Sequence, residues 1–281
     1  MCLKISKTAV HRRMLTAYLK KRQTFQEYMS DLSNPSKKYI DIDFAVHFLC
    51  YRRPRATFEA LKSLRQFYPD VKVHLISDGG DDFSPIANYF HCDYTYERRN
   101  INSPERRRPY EGIKRIHRTC EKYSSEWVIL MEDDVRVRDR ISKYPDAHIA
   151  GPSGPRFTAA IEKYLRNKYS GLEINGYNGC GGCIFNRLAF LEAYANITEI
   201  KKLPVSWDHR IHRNADALLT FTFLNAGFVA RRWLDHSEEC GVHHGPASAF
   251  DHQFKFYYNH QMLRLKPGVF RPAWMSSVQS R

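Results

Sequence analysis

With 281 residues, 43% of them hydrophobic and 14% aromatic, the chain can bury a substantial core, which excludes the disordered and fibrous classes. Its formal net charge of +14, from 44 Lys and Arg against 30 Asp and Glu, favours acidic partners such as phosphates, nucleic acid or an anionic membrane surface. No stretch approaches the length of a transmembrane helix, no N-terminal apolar core resembles a signal peptide, and seven cysteines form no dense framework, so a cytoplasmic protein with reduced thiols is expected.

Residues 1–40 hold nine basic and two acidic residues, half of the net charge. From His11 to Leu32 the pattern is helical, with Met14, Tyr18, Phe25, Met29 and Leu32 near one face, and Asn34-Pro35 ends it. The first reading is a helix packed on the main domain; the sharper one is a basic amphipathic element in peripheral contact with anionic membrane. Residues 41–270 read as a single α/β domain and residues 271–281 as a tail.

Phe44 to Cys50 is a continuous apolar run of the buried-strand kind, closed by Tyr51-Arg52-Arg53-Pro54. Phe58, Leu61 and Leu64 mark a helix face that Pro69-Asp70 ends. Val71 to Ser77 is a second strand, stopped by Asp78-Gly79-Gly80. Strand, helix and strand make a βαβ unit and hence a parallel sheet. Ligands of such sheets bind beyond the carboxyl ends of the strands.

Residues 98–118 carry eight basic and two acidic residues, including Arg106-Arg107-Arg108. The group reads either as a solvated charged face or as a phosphate clamp, for which Arg is well suited. Its second half, with Ile113, Ile116, Cys120 and Tyr123, predicts a helix. That helix leads into Trp127-Val128-Ile129-Leu130-Met131, a third buried strand, which delivers Glu132, Asp133 and Asp134 in succession. Three adjacent acids at a strand end repel one another unless something positive lies between them. Alternation along an extended chain would put Glu132 and Asp134 on one face with Asp133 opposite. Such hard oxygen donors suit Mg²⁺ or Mn²⁺.

Ser142 to Arg156 is expected to be irregular, with a helix from Phe157 to Tyr169. Asn175 to Phe185 holds four glycines in eleven residues, a sign of close backbone approach or unusual φ, without the spacing of a Walker loop. Ile184-Phe185 starts a strand, and Leu188 to Tyr194 a helix. Asn214 is a plausible N-cap and Gly227 a C′ glycine, so Asp216 falls in the first turn of a helix, where the dipole favours its ionised form. Phe228 to Leu234 reads as another strand.

The order of these pieces resembles the GT-A fold glycosyltransferases, nucleotide-sugar-dependent enzymes with a Rossmann-like, mostly parallel sheet flanked by helices. The resemblance covers roughly residues 43 to 245. It rests on Phe48 to Pro54, Ser63-Leu64, Ile76 to Gly80, the Glu132-Asp133-Asp134 form of the DXD motif, Gly181 to Phe185 and Asn214-Ala215-Asp216. It implies that Tyr51, Arg53 and Asp78 hold the nucleoside, and that Glu132 and Asp133 face the ribose and the donor sugar. Asp134 would bind Mn²⁺ or Mg²⁺, with His243 or His244 as a late ligand. Asp216 would act as base in an inverting transfer from a UDP-sugar to a saccharide hydroxyl. Gly182, Trp207 and Asp208 would line the donor-sugar and acceptor side. The partners implied are a nucleotide-sugar donor and a saccharide acceptor, with no nucleic acid. The chain departs from the pattern at Ala215, where an acid commonly precedes the base.

Two rival readings use the same residues differently. A nucleotidyltransferase shares the fold type and the acidic site, but the first strand lacks a glycine-rich Arg/Lys signature. A basic nucleic-acid binder with a structural zinc site would use Cys180, Cys183, Cys240 and His243, two pairs with zinc-like spacing.

Overall fold

The computed structural model describes residues 39–101, 107–137, 139–151, 154–179, 181–233 and 250–251. The helix expected between His11 and Leu32, the tail at 271–281, and Cys180, Cys240, His243 and His244 lie outside the described residues.

Strand β1 (Phe44–Cys50) is followed by helix α1 (Pro54–Phe67), whose first position is a proline with φ already set for a helix. Strand β2 (Lys72–Asp78) ends at Gly79, whose φ of +70° turns the chain sharply. A short helix, α2 (Ser84–Tyr89), leads to β3 (Asp93–Glu97). Helix α3 (Pro109–Lys122) again opens on proline and feeds β4 (Trp127–Glu132). After β5 (Arg136–Val137) and β6 (Ile149–Gly151) come α4 (Ala159–Lys168), β7 (Ile184–Asn186), α5 (Arg187–Tyr194) and α6 (Ile197–Lys202). A 3₁₀ turn at His209–His212 precedes α7 (Ala215–Asn225); β8 (Ala230–Arg232) and β9 (Phe250–Asp251) follow.

Seven strands form one sheet in the order β3-β2-β1-β4-β7-β6-β8. The pairs β3–β2, β2–β1, β1–β4 and β6–β8 are parallel, and β7 runs against both of its neighbours. The Rossmann-like α/β class expected from the sequence is therefore the fold observed: a mostly parallel sheet flanked by helices. One expectation fails locally. The Pro/Gly-rich stretch Ser142 to Arg156 contains β6, because Ile149 and Ala150 pair with β7 and are fully buried.

Side-chain alternation divides the core into two layers. Phe44, Val46, Phe48 and Cys50 of β1 pack with Ala60, Leu61 and Leu64 of α1 on one face. On the other, Val128 of β4 joins Ile113 and Ile116 of α3 and Leu218 and Leu219 of α7. Every residue from Ala217 to Asn225 is buried, so α7 is the central helix of this second layer. Asn214 caps it, accepting from the backbone N–H of Asp216 (2.7 Å) and Ala217 (3.0 Å), and Gly227 with φ +82° ends it. No described helix is long and apolar enough to cross a membrane.

Candidate active site

Because β1, β2 and β4 are parallel, Cys50, Asp78 and Glu132 end at the same sheet edge. Strand β7 starts there. Leu130 N–H donates to Cys183 O (2.9 Å) and Gly182 N–H to Leu130 O (2.8 Å), which brings the glycine-rich segment beside the end of β4. Gly182 has φ +86°, a conformation open to glycine at little cost. The same segment touches α7, where Asn178 N–H donates to Thr220 Oγ1 at 2.8 Å.

Between the sheet and the starts of α3 and α7 lies a cavity of about 310 Å³. Leu49, Ile116, Leu130 and Leu219 give it apolar walls. Glu132, Asp216, Asn214, Arg107 and Arg213 supply polar groups, Gly179 and Gly181 supply backbone, and His47 supplies an imidazole. Glu132 and Asp216, 84 residues apart in the chain, thus line one cavity. A larger hollow of about 810 Å³ opens at the amino ends of the strands, lined by residues including Asp43, Lys72 and Lys122. It lies at the edge opposite to the one where sheets of this kind bind ligands.

The three acids have different surroundings. The strand ends at Glu132, and Val135 N–H donates back to Glu132 O at 3.0 Å, so the chain turns through Asp133 and Asp134. The expected alternation, with Glu132 and Asp134 on one face, stops at this turn. Glu132 lines the cavity, whereas Asp133 and Asp134 do not, and both are buried. Asp133 pairs with Arg53 at 3.3 Å. Burial pushes the Asp133 carboxyl up to about 7; Arg53 opposes the rise, and Asp134 and Glu132 add to it. Arg136 braces the turn from below, donating to Asp133 O (3.0 Å), Val135 O (2.7 Å) and Ala56 O (3.3 Å). Among the described residues no three His, Cys, Asp or Glu side chains are arranged to hold a metal ion.

Asp78 is only 2% exposed. Arg115, equally buried, donates to its Oδ1, as does Ile101 N–H at 2.9 Å. Burial raises the Asp78 pKa, and Arg115 works against that rise. Arg115 also donates to Arg99 O at 2.6 Å, so this ion pair ties α3 and the chain after β3 to the end of β2. Tyr51 and Arg53 stand at the same edge. The Arg52 guanidinium lies 4.9 Å from the Tyr51 ring centroid, and the Tyr51 ring covers Gly80 so closely that an added Cβ would come within 2.8 Å.

Trp207 and Asp208 lie away from the cavity lining. Asp208 accepts from Arg210 N–H (3.0 Å), from the Arg210 side chain (2.9 and 2.6 Å) and from Thr158 N–H (3.1 Å); these bonds hold its carboxyl below the usual range against the effect of burial. The Trp207 ring packs on Tyr164 at 5.6 Å. Gly179 and Gly181, rather than Gly182, reach the cavity. Cys183 is buried in the apolar layer with Phe185 and Leu218.

Ala215 also has a packing reason. A Cβ on Gly112 of α3 would sit 3.5 Å from the Ala215 Cβ, so the two helices meet at their smallest residues.

Sequence reasoning passed over His47, and a signal for it existed. Two largely apolar strands, FAVHFLC and VKVHLIS, each carry one histidine, and His47 and His74 are register partners. Both rings bond the Thr119 hydroxyl through Nδ1 at 2.8 Å, and His74 Nε2 meets Thr95 Oγ1 at 2.9 Å.

No family model matches the chain, and no curated protein matches it. Solved structures do match it. It is similar to the glycosyltransferase GlyE of Streptococcus pneumoniae TIGR4, at 15% identity and a TM-score of 0.41, over 69% of this chain and 46% of that one. The apo form of GlyE matches at 13% identity and a TM-score of 0.39, over 68% and 45% of the two chains. An active-site mutant of LgtC matches at 13% identity and a TM-score of 0.36, over 67% and 72%. The chain spans about half the length of the GlyE structures. With similarity this low, the functional reading rests on the chain's own geometry.

Proposed function

We propose that this protein is a glycosyltransferase that moves a sugar from a nucleoside-diphosphate sugar, a UDP-sugar first, to a hydroxyl of a saccharide acceptor, with inversion. The observation that carries the reading is the convergence of Glu132 and Asp216 on one cavity at the carboxyl edge of the sheet. Two motifs that the sequence reading placed independently line the same cavity.

Asp216 stands in the first turn of α7, where the helix dipole favours its carboxylate form. It takes the proton of the acceptor hydroxyl. The acceptor oxygen attacks the anomeric carbon, the bond from that carbon to the diphosphate oxygen breaks, and the nucleoside diphosphate leaves. Glu132 accepts hydrogen bonds from sugar hydroxyls. Arg107 and Arg213 on the cavity wall draw in the diphosphate. Tyr51, Arg53 and Asp78 belong to the nucleoside side of the same edge. As the sequence resemblance implies, Asp134 would hold Mn²⁺ or Mg²⁺ through its hard carboxylate oxygens, with His243 or His244 as a further ligand. Such a cation, when bound, neutralises the leaving diphosphate.

A thermal-shift panel of UDP-, GDP- and CMP-sugars, with and without Mn²⁺, tests this reading. A UDP-sugar is expected to raise the melting temperature most, and more so with Mn²⁺. No stabilisation by any donor overturns it.

A further inference from the structure

We infer that His47 contacts the ligand in the cavity, presenting its Nε2 lone pair as a hydrogen-bond acceptor to a hydroxyl of a sugar-like ligand. The argument begins with the Thr119 hydroxyl, which has one proton and two lone pairs. It has three neighbours: His47 Nδ1 at 2.8 Å, His74 Nδ1 at 2.8 Å and Arg115 O at 3.3 Å. A carbonyl oxygen can only accept. All three contacts are hydrogen bonds only when Thr119 donates to Arg115 O and both imidazoles donate through Nδ1–H. In that arrangement His74 Nε2 accepts from the Thr95 hydroxyl, and His47 Nε2 is left as an acceptor. His47 lines the cavity, and among the described residues Thr119 is the one hydrogen-bond partner of its ring.

Burial lowers the pKa of both histidines, His74 to about 4, so both rings are neutral near pH 7 and the lone pair is available. The carboxylates of Glu132 and Asp216 line the same cavity and also accept. Three acceptors around one apolar-walled space suit a ligand with several O–H donors. That ligand class rests on the glycosyltransferase reading; the acceptor state of His47 does not.

The test uses the full chain labelled with ¹⁵N-histidine. Long-range ¹H–¹⁵N correlations at pH 7 are expected to show His47 and His74 both protonated on Nδ1. A proton on His47 Nε2 overturns the inference. Thr119→Val removes the shared acceptor and is expected to give mixed His47 tautomers, while Thr119→Ser restores the Nδ1–H form. The contact is read with UDP-glucose and Mn²⁺ as probe. His47→Leu is expected to weaken binding roughly fivefold, the scale of one lost hydrogen bond. His47→Gln, which keeps an acceptor near the Nε2 position, is expected to stay within about twofold. If His47→Leu binds as tightly as wild type, His47 touches no ligand and the inference fails while the glycosyltransferase reading stands. If wild type does not bind UDP-glucose, the sugar half falls, and the tautomer measurement alone decides the acceptor half.

Discussion

Gly179 lies against Asp216: a Cβ built on Gly179 would stand 2.6 Å from the Asp216 carbonyl oxygen and 3.1 Å from the Leu219 Cβ. The glycine-rich segment is therefore in contact with the first turn of α7, the turn that carries the proposed base. The obstacle is backbone, which cannot swing aside as a side chain can. Gly179→Ala is expected to push the start of α7 away from the segment. A loss of about 1–3 kcal/mol follows from overpacking of this kind. Donor binding should fall with it, because both sides of the contact line the cavity. Urea unfolding and donor titration on the variant check this. Wild-type stability would mean that the segment yields freely and does not position Asp216.

The acids at the sheet edge and on α7 are expected to separate binding from chemistry. Asp134→Ala should abolish the Mn²⁺-dependent part of donor binding. Asp216→Asn should leave donor affinity within about twofold and lower transfer by 100-fold or more, roughly the size of a general-base contribution. Isothermal titration and single-turnover transfer assays read the two effects apart. Full transfer by Asp216→Asn would remove the base assignment.

Arg115 and Asp78 form an ion pair in which both side chains are almost fully buried. Removing one partner leaves the other charge stranded, which typically costs about 3–5 kcal/mol. Arg115→Leu is therefore expected to be among the most destabilising single changes in the chain. The double variant Arg115→Leu with Asp78→Leu should recover much of the loss, since a buried pair often contributes little net stability against apolar residues of similar volume. A double-mutant cycle in urea measures the coupling. Independent, additive losses would show that the pair is not the unit proposed.

The two buried histidines give stability a dependence on pH. Burial holds His74 at about 4, below its ordinary value of 6.5, and His47 well below. Between pH 6.5 and 4 the unfolded chain binds more protons than the folded one. Stability is therefore full above pH 6.5 and falls as pH drops through that window, by about 3 kcal/mol at pH 4 for His74 alone. Asp133 works in the other direction. Its folded pKa of about 7 stands above the ordinary 3.8, so its protonation favours the folded state as pH falls. The histidine effect is thus read as a difference. The stability gap between His74→Gln and wild type should move in favour of the variant as pH is lowered from 7 to 4.5. A gap that stays constant would mean that His74 is not held neutral.

The parts of the fold legible in the sequence are those whose burial writes a pattern. β1, β2 and β4 are covered on both faces and read as continuous apolar runs. α7 is bracketed by Asn214 and Gly227, residues that helix ends select for. β3, the edge strand DYTYE, is only partly buried and carries no such run. α2 and α6 have six residues each, too few for periodicity to show. β6 hides in a Pro/Gly-rich stretch because three residues suffice for its pairing with β7 and β8. At the site, the carboxylates were visible as acids ending a strand. The turn after Glu132 was not, because strand alternation says nothing about where the strand stops. His47 was missed because a histidine within an apolar run reads as core until the cavity beside it is seen.

Asp208 separates an anchoring role from a ligand-contacting one. The sequence resemblance places it on the acceptor side, whereas the structure shows its carboxylate holding Arg210 and the Thr158 N–H at the start of α4. Its burial leaves no lining of the cavity to it. Asp208→Ala would leave the half-buried Thr158 N–H without its carboxylate and release Arg210, a loss of about 1–3 kcal/mol for groups of this type. Asp208→Asn keeps the acceptor oxygen for Thr158 and should recover part of that loss. Under this geometry neither variant changes the KM for acceptor once the protein is assayed well below its melting temperature. A large rise in acceptor KM in Asp208→Asn, with stability near wild type, would move Asp208 from the scaffold to the acceptor site.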